Sequence, residues 1–307
     1  MAGLPRLCPA FRDRLDAFTR ELPGVEEGGV GALHRARVAS RRLRELLPLL
    51  TLDRKSSRKL NRGLKKVTSK LGVVRELDVL TRLVDQFRQD TRFPPAALER
   101  VAAAIAGARS EARERLVDDL PMAKLARLAA RLERACKALE RDDAGGLHRP
   151  REGKAMRAQR WALEARVTHR AARVEAAIEA ASSVYASERL HDVRIALKRL
   201  RYAAELSQEP ASRRLTADIA MLKAGQDLLG RLHDLEVLLE WGREVQASLT
   251  PPDINAWRDL RALVHTIEDD CLRLHARFMH DRAKLLAVAN RLGASKHAAS
   301  TGRQAVG

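Results

Sequence analysis

The chain has 307 residues, and its 58 Lys plus Arg exceed its 40 Asp plus Glu by 18 charges, so an acidic partner is the first expectation. An apolar content of 45% is enough to bury a core and excludes disorder throughout, while 3% aromatics, 17 Gly and 11 Pro suit long helices and disfavour sandwiches and barrels. Cys8, Cys136 and Cys271 have no metal-ligand spacing, which argues against a disulfide framework or a zinc site and for an intracellular protein.

At the amino terminus Arg6, Arg12 and Arg14 interrupt every apolar run. No later stretch reaches the roughly 18 uncharged residues of a membrane span, so a cytoplasmic protein with no membrane partner is expected. Pro23-Gly24 and Gly28-Gly29 mark a first turn, and a helix follows that contains HRARVASRRLR at residues 34 to 44. At about 100° per residue, His34, Arg37, Arg41 and Arg44 share an arc of about 80°, with Ala36, Leu43, Leu46 and Leu47 on the far side. This cationic stripe, roughly 15 Å long, has no interleaved Glu to relieve its like charges. Residues 30 to 75 hold fourteen Lys or Arg against Glu45 and Asp53, which is +12 of the total +18. In the next helix Arg58, Arg62 and Lys65 share a face and are candidate outer contacts.

Gly72 is expected to break the helical pattern within LGVVRELDVL at residues 71 to 80. The carboxylates of that motif, Glu76 and Asp78, suit holding arginines in place better than catalysis. Pro94-Pro95 and Pro121 bracket an amphipathic helix over Ala97 to Leu120. Asp142 to Pro150, with Gly145-Gly146, is the best linker candidate and lies almost at the midpoint. A second amphipathic stretch runs from Glu152 to Ala181, and HDVRIALKRLR follows at residues 191 to 201. Pro210, Gly230 and Pro251-Pro252 are the remaining expected breaks. Near the end, His265, Glu268, His275 and His280 do not put three ligands on one helix face, so no metal site is read there. No segment reads as a strand.

The two basic motifs align at an offset of 157, pairing His34 with His191, Arg37 with Arg194, Arg41 with Lys198, Arg42 with Arg199 and Arg44 with Arg201. LGVVRELDVL aligns with LGRLHDLEVL at an offset of 158, which pairs Asp78 with Glu236 and, further upstream, Lys65 with Lys223. Two ordered matches at one near-constant spacing imply two copies of one structural unit, expected at residues 5–145 and 152–290, with a disordered tail over 293–307. Arginine forks and a lysine suit phosphate oxygens, and a local field of this strength attracts a polyanion. His34 and His191 share the arginine arcs. Neighbouring positive charge is expected to lower their pKa values, and a bound phosphate to raise them.

At these residues the chain resembles the CHAD domain, the conserved histidine α-helical domain, through the stretches from His34 and from His191 to Tyr202 and those from Leu71 and Leu229. Arg75, Glu76 and His233 depart from the usual motif. The resemblance covers roughly residues 5 to 290. It implies an all-α fold of two pseudo-symmetric four-helix bundles around a basic central pore that binds inorganic polyphosphate. It also implies association with polyphosphate granules, their proteins or a polyphosphate-metabolising enzyme. By position, the contacts implied are His34, Arg37, Arg41, Arg42, Arg44, His191, Arg194, Lys198, Arg199 and Arg201. A nonspecific nucleic-acid binder is the main alternative, and the scarcity of stacking aromatics counts against it, since Tyr202 is the only one within the two stripes. An enzyme, or the accessory subunit of one, is another. The chain has no GxxxxGK[ST] loop, dense acidic cluster or ExExK signature, so the expectation is a non-catalytic protein without a cofactor.

Overall fold

The computed structural model describes residues 7–145, 152–181, 183–207, 213–250 and 253–294. Its described residues contain no strand and form ten α-helices: α1 Leu7–Arg20, α2 Leu22–Glu26, α3 Val30–Leu46, α4 Arg54–Phe87, α5 Pro95–Asp119, α6 Met122–Gly145, α7 Glu152–Ala180, α8 Ser187–Leu206, α9 Arg213–Ala247 and α10 Ile254–Ala294. Helix starts follow local chemistry. Asp53 caps α4 by accepting the Ser56 amide at 2.9 Å. Proline stands at the first turn of α2 and of α5, where its missing N–H is no loss. Gly28, at φ +71°, supplies the left-handed turn between α2 and α3.

Two expected breaks are absent. Gly72 and Gly230 lie inside α4 and α9, because a lone glycine costs a helix only about 1 kcal/mol and long packed helices absorb that. The expected linker is also shorter than its composition suggests, since α6 continues through Asp142 to Gly145. Residues 146–151 lie outside the described residues, as do Pro210, Pro251-Pro252 and the expected tail from 295 onward; Gly293 and Ala294 still belong to α10.

The chain divides into two compact units. One comprises Arg6–Gly153 with Trp241–Leu263, and the other comprises Lys154–Glu240 and Val264–Gly307 with the first five residues. In the first, α3 packs on α4, α4 on α5, and α1 on both α3 and α6. Its core is built from Phe11, Leu15, Phe18, Leu33, Leu43, Leu64, Leu71 and Val74, all fully buried or nearly so. Burying a Leu or Phe side chain contributes about 1.5–3 kcal/mol, so this apolar seam holds the helices together. Arg12 ties α1 to α6 through Glu133 at 2.6 Å and Glu140 at 2.9 Å. The second unit is formed by α7, α8 and the greater parts of α9 and α10, around Val174, Ile178, Val193, Leu197, Leu200, Leu222, Phe278 and Leu285.

Candidate functional site

In the first unit the stripe of α3 lies along its seam with α4. Arg44 Nε donates to Asn61 Oδ1 at 3.4 Å, the Ser40 and Thr68 hydroxyls are 3.0 Å apart, and Arg37 sits over Gly72. Positions fall on α3 as they rise on α4, so the pair is antiparallel. A Cβ at Gly72 would stand 3.4 Å from Arg37 Nε and 3.7 Å from one terminal nitrogen, so the guanidinium lies where a methyl group at position 72 would touch it at ordinary contact and a larger side chain would displace it. His34, Arg37, Arg41 and Arg44 are all half-buried, unlike a simple solvated face.

His34 is held below the ordinary imidazole pKa. Burial is the largest cause, followed by the positive charges of Arg75, Arg37, Arg41 and Arg82. The sequence leads one to expect neighbouring charge as the cause; the structure puts desolvation first. Its Nδ1 is buried and meets no hydrogen-bond partner among the described residues. A neutral histidine with one ring nitrogen unsatisfied, beside several arginines, is arranged to gain from an anion.

The second unit repeats this arrangement on its own helices. Arg194 Nε lies 3.8 Å from where a Gly230 Cβ would be, matching Arg37 over Gly72. His191, Arg194 and Lys198 are half-buried. The His191 and His233 rings stand 5.0 Å apart, and His233 occupies the position that Arg75 holds in the first copy. His191 is likewise lowered, first by burial, then by His233, Arg194 and Lys198, with Asp192 opposing. The counterpart of Arg82 is Glu240. One stripe is therefore backed by two guanidiniums and the other by an imidazole ring.

The expected residues fall on more than one surface. Arg42 is exposed and turned about 100° from Arg41, so it does not join His34, Arg37 and Arg41. Its counterpart Arg199 lines a different groove, with Arg170, Arg173 and Arg189. The repeat carries both into alignment, but alignment in sequence does not put a residue on the stripe. Arg201 is committed locally: it pairs with Glu205, donates to Gln226 at 3.1 Å, stacks 4.6 Å from the Tyr202 ring centre and is only 12% exposed. Arg58, Arg62 and Lys65 are exposed on the first half of α4, close in sequence to Asn61. Lys223 is exposed and ion-paired with Asp227 at 2.6 Å.

Of the carboxylates expected to hold arginines, Asp78 does so for two arginines of α5, and Glu236 holds a tyrosine instead. Asp78, 1% exposed, accepts from Arg109 Nε at 2.7 Å and faces Arg113 at 3.7 Å. Glu236 accepts from the Tyr185 hydroxyl at 2.6 Å and lies 3.9 Å from His233. Glu76 is exposed. Among the described residues no three His, Cys, Asp or Glu converge as metal ligands, and no helix is long and apolar enough to cross a membrane.

Sequence reasoning passed over Arg75, Arg82 and His233 as members of the site. The signal was present, since Arg75 and Arg82 recur at seven residues on the Gly72 face of α4 and Arg75 aligns with His233, but it needed the α3–α4 pairing to acquire meaning. The family model for the CHAD domain matches residues 9–243. The CHAD domain from the plant Ricinus communis is similar over 94% of this chain and 92% of its own, with 23% identity and a TM-score of 0.60. PptA from Streptomyces chartreusis is similar over 94% of this chain and 96% of its own, with 18% identity and a TM-score of 0.56. At these identities the two structures establish a shared fold. No curated protein matches the sequence.

Proposed function

The chain belongs to the CHAD domain family, and on that premise we propose that it binds inorganic polyphosphate without catalysing its turnover, and that this binding brings it to polyphosphate granules. The observation that carries the reading is the duplicated basic cluster on half-buried stripes: His34, Arg37 and Arg41 with Arg75 and the exposed Arg82 in one unit, and His191, Arg194 and Lys198 with His233 in the other. Like charges held this close on a helix seam repel one another. A linear phosphate polymer relieves that repulsion at many positions and releases its counterions. Guanidinium forks match phosphate oxygens, while the scarcity of nearby aromatics offers little to a nucleobase.

Titration with polyphosphates of defined length, at several salt concentrations, tests the reading with Arg41→Ala and Lys198→Ala alone and together. Weaker binding and a shallower salt slope from each substitution support use of both stripes. Undiminished affinity in the double variant would sink it. Short RNA competing on equal terms per phosphate would favour a general nucleic-acid binder instead, and metal-dependent phosphate release by the pure protein would favour an enzyme.

A further inference from the structure

The second unit carries another cationic feature, on a different face of α8. A groove with a free volume of about 270 Å³ runs between α7 and α8, lined by Arg170 and Arg173 from α7 and by Arg189 and Arg199 from α8. Its floor is Ala176, Ala177, Ala180 and Ala196, with Ile195 at the side, and Asp192 is the one carboxylate among the lining residues. On each helix the lining residues recur at three- and four-residue steps, so each helix gives one continuous face to the groove. Around α8, at about 100° per residue, Arg199, Asp192 and Arg189 fall roughly 80° to 160° from His191 on the flank away from Arg194, Lys198 and Arg201, with Ile195 at the border between the two, and Val193, Leu197 and Leu200 point into the core. The groove and the stripe are separate surfaces of the same helix.

Setting aside Arg170, which is engaged in a contact of its own, three guanidiniums against one carboxylate leave the groove at +2. A monoanion would neutralise only part of that, whereas a di- or triphosphate group matches it. The alanines matter because short side chains leave the space in which an anion can lie among the arginine forks. Beyond Asp192 the lining side chains offer no acceptor that would favour a neutral, hydroxyl-rich ligand. Arg189 and Arg199 are ten residues apart, about 15 Å along α8, so the charge is spread in a line that suits an elongated anion more than a single phosphate.

We propose that this groove is a second anion site, which takes a linear di- or triphosphate group, either as the free inorganic ion or carried on a nucleotide. The proposal is independent of the polymer-binding role of the stripes. The test is titration calorimetry with inorganic tripolyphosphate and with ATP, using a variant whose stripes are neutralised by Arg37→Ala, Arg41→Ala, Arg194→Ala and Lys198→Ala. Saturable binding of tripolyphosphate is expected to persist there and to weaken at least roughly tenfold when Arg173→Ala and Arg189→Ala are added, because charged hydrogen bonds are lost. Asp192→Asn is expected to strengthen it. Both arginines are exposed, so their removal leaves the core intact, and circular dichroism checks this. ATP binding with matching losses assigns the nucleotide as a source, and binding of tripolyphosphate alone assigns the free ion. If the stripe variant does not fold, the same pair of substitutions in the wild-type chain is expected to remove one class of tripolyphosphate sites and leave another. No binding outside the stripes, or binding indifferent to Arg173 and Arg189, would overturn the proposal.

Discussion

Substitutions at Gly72 separate the stability of α4 from the placement of Arg37. A Cβ there would lie 3.4 Å from Arg37 Nε, 3.7 Å from one terminal nitrogen and 4.0 Å from Cζ. Alanine therefore fits against the guanidinium at ordinary contact distance, whereas leucine needs the volume that the guanidinium fills. Gly72 is in the interior of a 34-residue helix, where Gly→Ala gains about 0.8–1.0 kcal/mol of helix propensity. Gly72→Ala is expected to raise stability by up to about that amount and to leave polyphosphate affinity within a few-fold of wild type. Gly72→Leu should keep most of the propensity gain but push Arg37 off its seat. Losing charge-assisted hydrogen bonds worth about 1.5–3 kcal/mol then weakens binding roughly 10- to 150-fold. Chemical unfolding followed by circular dichroism reads the first effect, and calorimetric titration reads the second. The decisive comparison is the double variant Arg37→Ala/Gly72→Leu. If leucine acts only through Arg37, the double binds as weakly as Arg37→Ala alone. Full affinity in Gly72→Leu, or a further tenfold loss in the double, would refute the reasoning.

Other expectations follow from the same contacts. Because folding lowers the pKa values of His34 and His191, a bound polyanion that raises them takes up protons, so affinity should rise as pH falls from about 8 toward 5.5; a flat profile contradicts this. In the empty protein the sign is opposite for stability. The neutral rings contribute fully above the unfolded histidine pKa of about 6.5, and that contribution is lost as pH falls through their folded values, measurable as a lower unfolding midpoint in acid. Asp78→Ala leaves Arg109 and Arg113 without their buried carboxylate, and because those side chains are 31% and 34% exposed the full cost of a broken buried pair falls to about 2 kcal/mol, checked by urea unfolding. Burial pushes the Cys136 thiol up to about 12 and Cys271 up to about 11, and Cys8 is buried as well. A thiol reagent at pH 8 should therefore react slowly with the native chain and with three equivalents after denaturation. Arg42→Ala, on the exposed side of α3, should change polyphosphate affinity far less than Arg41→Ala in the same titration.

The repeat and the three- and four-residue periodicity determined the helical class, the two basic helices and the residues sharing each arc. These are local properties: a helix fixes which side chains stand on one face before any partner helix is present. The tertiary structure decided what that face meets. Gly72 and Gly230 read as breaks because a sequence shows only their conformational cost, while the guanidiniums of Arg37 and Arg194 that lie over them are brought there only by the pairing of helices. Arg75 and Arg82 stand more than forty positions from His34 and enter its electrostatics only across the α3–α4 seam. Likewise Arg199 belongs to the α7–α8 groove because a single step along a helix turns a side chain by about 100°, and only the neighbouring helix determines what lies there. Charge and period were thus written in the chain; burial, and with it the pKa shift of each histidine, was set by packing.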